Sequence, residues 1–439
     1  MEKACPIRNK IIKKSSKKMR GPKVRFTELK HRKNSQTLSQ TLAFSDLFYH
    51  DKETAESVCF FVFGFSLHVL DKLLKKGLKV AVMADPYIDT FKEIAEKKEL
   101  DKNLKVYWAD KHSLGQNSAF HPKIYLIKFS TFLRVVIGSA NLFKEDWSEW
   151  SNVVWYKDMP ISRKSQTHHD DTFKMKLNKF LKICLGSKSK KDIMSFVSIN
   201  LDDYDFTKSG VELVTSVPFK LAGKIKDLHG LPLLAQIMKD NQPIKPFKLN
   251  NTRVYYSCSS VGGINFGFIY KFITAIAPNL ALAEYTNKRK EQNKFYALFR
   301  LIYPTQDYVR KIENGNTHCL LFSPYTFNKV RFNEEILYQF HNNEELYGEK
   351  NFVSHSKFFI VTQGEEITDD TVIYLGSHNL TKSAWGKYSR DSYELQNYEM
   401  GVLFPPKKES AKMKQEIVDS LSFKIPSERY EESDLPYLS

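Results

Sequence analysis

Apolar positions along the chain follow two alternating spacings, which predict strands and helices in succession. Val58–Phe65 and Leu78–Ala84 are short runs rich in β-branched and aromatic residues, the composition of buried strands. Between them, residues 66–76 repeat leucine at the intervals of one helical face. Because such strand and helix patterns alternate along most of the chain, the sequence predicts an α/β fold and not a helical bundle or a β-sandwich.

The other predicted elements fall into two groups that are separated near residues 200–206. The first group comprises the strands Lys123–Lys128 and Phe132–Ile137 and the helix Asp170–Leu185. Gly186 ends that helix, and a Gly/Ser/Lys linker over residues 186–191 follows it. The second group has two helices and six strands, at Leu231–Met238, Phe266–Ala275, Val211–Ser216, Val254–Ser257, Ala297–Ile302, Phe358–Val361, Thr371–Leu375 and Met400–Phe404. We therefore predict two folded domains, residues 37–204 and 205–426.

The net charge of +17, from 67 Lys and Arg against 50 Asp and Glu, is concentrated at the N-terminus. Residues 1–33 hold thirteen basic residues and two acidic ones, so the other 406 residues carry only +6. This composition predicts a disordered basic tail over residues 1–36, which fits a nuclear address or a phosphate-binding arm. We expect a nuclear protein, with a mitochondrial or cytoplasmic location as alternatives. Residues 427–439 are acidic and contain proline, and we expect this end to be poorly ordered.

Two features argue against whole classes of protein. The longest apolar stretch, Val58–Leu70, has 13 residues and is too short to cross a bilayer, so no membrane partner is expected. The five cysteines show no Cys-x-x-Cys spacing, which argues against a zinc site or a disulfide framework. The sequence therefore indicates a globular protein of a reducing compartment.

An imperfect internal repeat carries the candidate chemistry. Each copy reads His-x-Lys at the start of one strand, Gly-Ser-x-Asn-Leu at the end of the next, and a Trp shortly afterwards. The residues that define the two copies are His121, Lys123 and Asn141 in the first and His355, Lys357 and Asn379 in the second. About two His-x-basic triplets are expected by chance from this composition. Gly-Ser-x-Asn, however, occurs only twice in the chain, each time after a His-x-Lys strand pair.

Together the two copies supply a set of groups that suits one phosphodiester. Alternate residues of a strand share a face, so the His and Lys of each copy point the same way. The Lys and Asn side chains can donate to the non-bridging oxygens, while one imidazole attacks phosphorus and the other protonates the leaving oxygen. An imidazole pKa of about 6.5 suits both roles. No carboxylate cluster or His/Cys set lies beside the motifs, so we expect no metal and no cofactor.

These residues resemble the phospholipase D superfamily and, within it, the tyrosyl-DNA phosphodiesterase family. The superfamily motif is His-x-Lys-x4-Asp, and Lys128 and Thr362 stand here at the Asp positions, which is similar to the tyrosyl-DNA phosphodiesterase pattern. The stretch Asn379-Leu-Thr-Lys-Ser-Ala-Trp-Gly also looks like that family, and the resemblance covers about residues 37–405. It implies two similar α-β-α sandwich domains with mixed sheets, related by a pseudo-two-fold, with the active site between them.

The resemblance also implies a role for each residue of the repeat. His121 matches the nucleophile and His355 the general acid, while both lysines and both asparagines match phosphate-holding positions. Glu399 matches the residue expected to orient His355, and Asn152 stands where the family usually has a Gln that serves His121. The residues that match DNA-contacting segments are Ser259, Ser260, Val261, Gly262, Thr381 and Lys382.

The implied activity is DNA repair by a metal-independent phosphodiesterase that acts as a monomer. It would release tyrosine, carried by a topoisomerase I-derived peptide, or another adduct from the 3′-phosphate of a single-stranded DNA end through a phosphohistidine. Two alternatives share the motifs: a phospholipase D-like nuclease or lipid phosphodiesterase, and a nucleic-acid-binding protein without catalysis. The missing Asp residues argue against the lipid alternative, and the six complete repeat positions argue against a protein without catalysis.

Overall fold

The structure is a computed structural model. It describes residues 23–29, 41–51, 53–86, 89–96, 100–109, 118–162, 172–221, 229–281, 289–313, 316–329, 333–389 and 392–439. Within these ranges, strands and helices alternate as the apolar spacing predicts. The strands form two large sheets, one in each half of the chain, and three small ones. None of the described helices is long and apolar enough to cross a membrane.

The N-terminal half has ten strands and three helices among its described residues. The strands are β1 (Lys23–Thr27), β2 (Thr41–Leu42), β3 (Tyr49–His50), β4 (Glu53–Thr54), β5 (Ser57–Phe61), β6 (Lys79–Ala84), β7 (Leu104–Trp108), β8 (Ile124–Lys128), β9 (Phe132–Gly138) and β10 (Val153–Pro160). The helices are α1 (Leu67–Leu74), α2 (Asp89–Glu96) and α3 (Thr172–Phe196). Eight strands form one sheet in the order β2-β1-β10-β9-β8-β5-β6-β7.

The C-terminal half has twelve strands and eight helices among its described residues. The strands are β11 (Glu212–Ser216), β12 (Phe219–Leu221), β13 (Thr252–Ser257), β14 (Ser260–Val261), β15 (Phe299–Tyr303), β16 (Leu321–Phe322), β17 (Leu337–Gln339), β18 (Lys357–Gln363), β19 (Val372–Gly376), β20 (Lys387–Tyr388), β21 (Tyr393–Leu395) and β22 (Glu399–Phe404). The helices are α4 (Gly230–Asp240), α5 (Phe266–Ile276), α6 (Arg289–Tyr296), α7 (Gln306–Arg310), α8 (Pro324–Lys329), α9 (Glu344–Tyr347), α10 (Lys382–Trp385) and α11 (Ala411–Asp419).

The two large sheets repeat one topology. The strand order β1-β10-β9-β8-β5-β6-β7 in the first sheet corresponds to β11-β22-β19-β18-β13-β15-β17 in the second. In each series the first four pairings are antiparallel and the last two are parallel. The predicted α/β architecture with two similar mixed-sheet domains is therefore confirmed.

Both faces of the central strands are buried, which explains their continuous apolar runs. Ile124 and Leu126 of β8 belong to a core that the two halves share, whereas Tyr125 and Ile127 face a core of the N-terminal half alone. Strand β18 alternates in the same way between the shared core and a core of the C-terminal half. The two halves therefore pack through one face of each sheet.

Part of the segment expected in the basic tail is a strand. Lys23–Thr27 form β1, which pairs antiparallel with β10. Val24 and Phe26 are buried on one face, while Lys23 and Arg25 remain partly exposed. The charge of this stretch dominates its composition, but its alternation is that of a strand with one buried face. The rest of the predicted tail before residue 23 lies outside the described residues.

The predicted helix and linker around Gly186 differ from the structure. Helix α3 continues to Phe196, with a break at Gly186 (φ 66°, ψ 163°), so residues 186–191 are not a linker between domains. The apolar residues beyond the break explain the difference, because Ile193 and Met194 are buried in the core shared by the two halves. The predicted start of the helix at Asp170 lies outside the described residues.

The acidic C-terminal end is also ordered, contrary to the expectation for residues 427–439. Tyr437 donates its N–H to the carbonyl of Pro304 at 3.0 Å, and the Tyr430 hydroxyl donates to the carbonyl of Tyr303 at 2.9 Å. Both tyrosines pack against the core of the C-terminal half. The aromatic residues between the acidic ones therefore anchor this end.

Removal of residues 1–33 should destabilise the fold more than removal of residues 1–22, because only the longer deletion removes β1. The longer deletion exposes the edge of β10 and removes Phe26 from the core, and burial of one such side chain contributes about 1.5–3 kcal/mol. We therefore expect the melting temperature after the longer deletion to lie below that after the shorter one, by about 2–5 °C. Equal melting temperatures for the two truncated proteins, measured by differential scanning calorimetry, would contradict the assignment of β1.

Candidate active site

Two short contacts between the halves bring the histidine segments to one place. Phe120 forms a parallel bridge with Tyr398, and the N–H of His121 donates to the carbonyl of Tyr398 at 3.1 Å. In the same way, Ser151 forms a parallel bridge with Ser354, and the N–H of His355 donates to the carbonyl of Ser151 at 2.9 Å. Each histidine therefore lies beside the residues that directly precede a long strand of the opposite half. That strand is β22 for His121 and β10 for His355.

The imidazole of His121 is held by the C-terminal half. Its Nδ1 lies 2.8 Å from Oε2 of Glu399, the first residue of β22. Ser377 also donates its hydroxyl to this carboxylate, and Asn397 donates to Oε1 at 3.0 Å. Burial raises the pKa of Glu399, but the charge and hydrogen bond of His121 outweigh that effect and lower it overall. Glu399 is therefore an ionised acceptor for the Nδ1 proton of His121.

The imidazole of His355 is held by the N-terminal half. Its Nδ1 lies 3.0 Å from Oδ1 of Asn152 and 3.2 Å from Oδ1 of Asp146. Asn152 donates its amide to Oδ1 of Asp146 at 3.2 Å and accepts the hydroxyl of Ser139 at 2.8 Å. All four side chains are buried. An amide and a carboxyl group therefore orient this histidine together.

The observed pairing corrects the expected one. The sequence comparison with the family assigned Glu399 to His355 and Asn152 to His121, but each lies against the other histidine. The physical reason is that the bridges cross between the halves, so each histidine meets the strand that follows the other Gly-Ser-x-Asn turn. Asn152 reaches its histidine despite being one methylene shorter than Gln.

The serine of each Gly-Ser-x-Asn turn makes the same pair of hydrogen bonds in both copies. Ser139 donates to Asn152 and accepts the N–H of Val153 at 3.0 Å, while Ser377 donates to Glu399 and accepts the N–H of Met400 at 3.0 Å. The preceding glycines permit this close approach, since a Cβ at position 138 would lie 2.3 Å from the carbonyl oxygen of residue 153. The motif therefore fixes the side chain that orients the opposite histidine.

The two lysines of the repeat are buried beside the histidines. Lys123 donates its ammonium to the carbonyl of His121, and Lys357 donates to the carbonyl of His355, both at 2.7 Å. Burial lowers the pKa of Lys357 to about 8, and burial together with the charge of Lys357 lowers the pKa of Lys123 further below its usual value. Such a concentration of positive charge in a dry site favours an anion.

The pKa of each histidine is also lowered. Burial is the main cause at both positions, and the charges of Lys357 and Lys123 add to it at His355. Glu399 opposes the shift at His121 but does not reverse it. Both imidazoles therefore favour the neutral form at pH 7 until an anion enters.

The two asparagines of the repeat differ in their surroundings. Oδ1 of Asn379 accepts the N–H of Ser260 at 3.0 Å and lies 3.4 Å from the hydroxyl of Ser259. Oδ1 of Asn141 is buried and makes no hydrogen bond with any described residue. Asn379 therefore ties the site to the turn at residues 259–262, whereas Asn141 keeps an unpartnered acceptor at Oδ1.

The expected DNA-contacting residues lie together next to Asn379. Val261 forms a parallel bridge with Leu380, and the N–H of Gly262 donates to the carbonyl of Leu380 at 3.0 Å. A Cβ at Gly262 would lie 3.1 Å from Cβ of Thr381, so glycine allows the two segments to pack closely. The segments that contain Ser259–Gly262 and Thr381–Lys382 therefore pack against each other beside Asn379.

Three residues that surround the histidines escaped the sequence analysis. Asp146 directly precedes the Trp that closes the first copy, so its place in the repeat was visible but its contact with His355 was not. Burial raises the pKa of Asp146 to about 7. Trp150 lies 5.5 Å from the ring of His355, and Phe63 lies 5.6 Å from the ring of His121. No local pattern distinguishes these aromatic residues from ordinary core residues.

Two facing half-sites on sheets of one topology define a phospholipase D-like fold. The model of the family described as tyrosyl-DNA phosphodiesterase matches residues 23–436, and the chain belongs to that family.

Relatives and solved structures agree with this assignment. The chain is 22% identical over 295 residues to Tyrosyl-DNA phosphodiesterase 1 of Arabidopsis thaliana, a match that covers 65% of this chain and 46% of the relative. It is 24% identical over 308 residues to Tyrosyl-DNA phosphodiesterase 1 of Drosophila melanogaster, covering 65% and 50%. The chain spans about half the length of these relatives. The yeast tyrosyl-DNA phosphodiesterase structure has the same fold, with a TM-score of 0.70 at 15% identity over 95% of this chain and 99% of that one.

Replacement of Lys357 should raise the pKa of His355. Lys357→Met removes the largest charge that lowers this pKa, so we expect the pKa of His355 to rise. The His355 ring nitrogens can be followed by 15N NMR over pH, with His355→Asn for assignment. The exposed lysine variant Lys408→Met is the control and should leave the titration unchanged. An unaltered His355 titration in a folded Lys357→Met protein would contradict the proposed electrostatics.

Proposed function

We propose that this protein hydrolyses the bond between a DNA 3′-phosphate and a tyrosine, such as that of a topoisomerase I-derived peptide, or another 3′ adduct. The observation that carries the proposal is the crossed pair of histidines, each with its own acceptor at Nδ1, around two buried lysines. Family membership selects tyrosyl-DNA adducts among phosphodiesters. Because one chain supplies both half-sites, a monomer is sufficient.

His121 is the nucleophile of this mechanism. Glu399 accepts the Nδ1 proton, which leaves the Nε2 lone pair for attack on phosphorus. The lowered pKa of His121 favours this neutral form. A P–N bond forms at Nε2 while the bond from phosphorus to the phenolic oxygen breaks.

His355 is the general acid and then the general base. Asn152 and Asp146 accept its Nδ1 proton, so the Nε2 proton is the one given to the departing phenolic oxygen. Entry of the anionic phosphodiester raises the pKa of His355 and loads this proton. Neutral His355 next takes a proton from water, whose oxygen attacks phosphorus. The P–N bond breaks, and the products are a DNA 3′-phosphate, tyrosine and free His121.

The lysines and asparagines stabilise the charge on phosphorus. Lys123 and Lys357 place two ammonium groups beside the histidines, where the low dielectric strengthens their attraction for the non-bridging oxygens. The Nδ2 groups of Asn141 and Asn379 are the amide donors for the same oxygens. Asp146 and Asn152 act through His355 and are positioning residues.

The substrate class and the absence of a metal requirement can be tested together. We expect full release of tyrosine from a 3′-phosphotyrosyl oligonucleotide in excess EDTA, because protein cations supply the charge stabilisation. Plain single-stranded DNA and phosphatidylcholine should be cleaved at least about 100-fold more slowly. Preferred cleavage of plain DNA or of the lipid would support the alternative phospholipase D-like nuclease or lipid phosphodiesterase. Tight DNA binding without turnover would support a binding protein.

The crossed pairing predicts that the leaving group matters for variants at His355 and Asn152 but not for a variant at Glu399. Asn152→Ala and His355→Ala should slow release of tyrosine far more than release of p-nitrophenol, since acid assistance matters most for the poorer leaving group. Glu399→Gln should slow both reactions equally, because it affects attack by His121. His355→Ala should cost about 100-fold or more for tyrosine.

The controls for this comparison lie on the surface of α11. Gln415→Ala and Glu416→Gln remove an exposed amide and an exposed carboxylate and should change neither rate. Single-turnover kinetics on both substrates supply the measurement. A leaving-group effect in Glu399→Gln and none in Asn152→Ala would instead favour the uncrossed assignment.

A further inference from the structure

The two histidines of the repeat receive a carboxyl group from different positions of the opposite half. Glu399 is the first residue of β22, and Asn152 directly precedes β10, so a carboxylate and an amide stand at matching places. In the N-terminal half the carboxyl group comes instead from Asp146, six residues before the amide, in the short turn that contains the Trp of the first copy. The second copy has Ala384 before its Trp. The shifted carboxyl group is therefore a feature of the His355 side alone.

The two carboxyl groups also differ in their hydrogen bonds. Both oxygens of Glu399 accept hydrogen bonds from side chains. At Asp146 only Oδ1 has such neighbours, with Nδ2 of Asn152 and Nδ1 of His355 each at 3.2 Å. Oδ2 of Asp146 is buried and makes no hydrogen bond with a described residue. A carboxylate with one bare oxygen in the core is poorly stabilised, so Oδ2 is the atom that keeps a proton.

The hydrogen bonds around Asn152 fix the position of the proton on His355. The Ser139 hydroxyl donates to Oδ1 of Asn152 at 2.8 Å, and Nδ2 of the same amide faces Asp146. Nδ1 of His355 lies 3.0 Å from Oδ1 of Asn152, which has no proton to give, so Nδ1 carries the proton. Only Nε2 is left to gain another proton. The positive charge that this creates lies beside Oδ1 of Asp146.

Several titratable groups surround the Asp146 carboxyl group. Those that face it from other elements are His355, Lys123, Lys357, Tyr125 and Cys319. Burial is the largest influence on Asp146 and raises its pKa to about 7, although the nearby N–H of Asn141 and the two lysines oppose the rise. Burial also raises the pKa of Tyr125 and of Cys319, so both are neutral near pH 7. The carboxyl group can therefore take either form at neutral pH, and His355 is the titratable group in direct contact with it.

We propose that Asp146 is a counter-ion of His355 that becomes charged only during the reaction. The carboxyl group is neutral while His355 is neutral, and it ionises when the bound phosphodiester converts His355 to the imidazolium. One proton is released from Oδ2 of Asp146 and one is taken up at Nε2 of His355, so the total charge of the pair does not change. This exchange suits a buried site, because an uncompensated charge in the core is destabilising. The inference rests on the proposed function and adds the charge that makes His355 an acid.

The two histidines thus differ in their partners as they differ in their roles. The ionised Glu399 holds the proton of His121 at Nδ1 and leaves Nε2 available throughout. His355 has to gain and lose a proton at Nε2 in each cycle, and a partner that changes its charge in step stabilises both states. Asn152 orients His355 in both states, because an amide does not titrate. Asp146 is therefore a positioning residue that also supplies charge.

Replacement of the carboxyl group by an amide tests the inference through pH dependence. In Asp146→Asn the imidazolium of His355 loses its counter-ion, so its pKa in the substrate complex falls and the acid is lost at lower pH. Single-turnover release of tyrosine from a 3′-phosphotyrosyl oligonucleotide should fall at least about tenfold below the wild type at pH 8, with a smaller loss at pH 6. Release of p-nitrophenol, which needs little acid assistance, should be unchanged at both pH values.

Two further variants separate the charge of Asp146 from its shape. Asn152→Asp combined with Asp146→Asn moves the carboxylate to the position that corresponds to Glu399, and it should restore release of tyrosine at pH 8. Glu145→Gln removes the adjacent, partly exposed carboxylate of the same turn and should change neither rate. A loss in Asp146→Asn that is equal at pH 6 and pH 8, or equal for both leaving groups, would show that the side chain only supports the fold and would overturn the inference.

A binding measurement makes the test independent of turnover. With a 3′-phosphate oligonucleotide bound, 15N NMR should give a lower pKa for His355 in Asp146→Asn than in the wild type. An equal pKa in two proteins whose melting temperatures agree within about 2 °C would refute the counter-ion and leave the proposed function intact. A clear difference in pKa without turnover of the tyrosyl substrate by the wild type would contradict the proposed function and not the counter-ion.

Discussion

The site depends on one constraint: each histidine of the repeat is oriented by the half of the chain that does not carry it. His121 is bound by Glu399, and His355 is bound by Asn152 and Asp146. Two parallel bridges between the halves impose this exchange, since they bring each histidine segment alongside the approach to the opposite last strand. Neither half is complete alone, so packing of the halves and assembly of the site are the same event. The core that both sheets share stabilises that packing.

The same packing creates an electrostatic cost that prepares the site for an anion. Lys123, Lys357 and His355 are buried and His121 is partly buried, and the loss of solvent lowers the pKa of all four. Unpaired buried cations destabilise a fold, and here Glu399 is the ionised counter-charge. A phosphodiester would relieve the remaining repulsion.

Repetition of one strand order explains how a chain of this length builds two matched half-sites. The edge strand β1 corresponds to β11, so the repeat includes residues that composition alone places in a basic tail. At the other end of the chain, Ser439 donates its N–H to the carbonyl of Phe322 in β16. The ribbon of β14 and β16 has no counterpart in the described part of the N-terminal half.

The sequence by itself determined several strands and the residues of the repeat, because both depend on residue identity and on spacing between neighbouring positions. Continuous apolar runs predicted β5, β6, β8 and β9, and the repeat identified His121 and His355 with their lysines and asparagines as candidate site residues. The tertiary structure alone decided which side chain faces which histidine, because Glu399 lies 278 positions from His121 and Asp146 lies 209 from His355. The tertiary structure also decided that Phe26 lies in a strand and that α3 continues beyond Gly186. In both cases the apolar side chains are buried against a surface made by distant strands. Spacing along a chain carries no information about which distant elements meet.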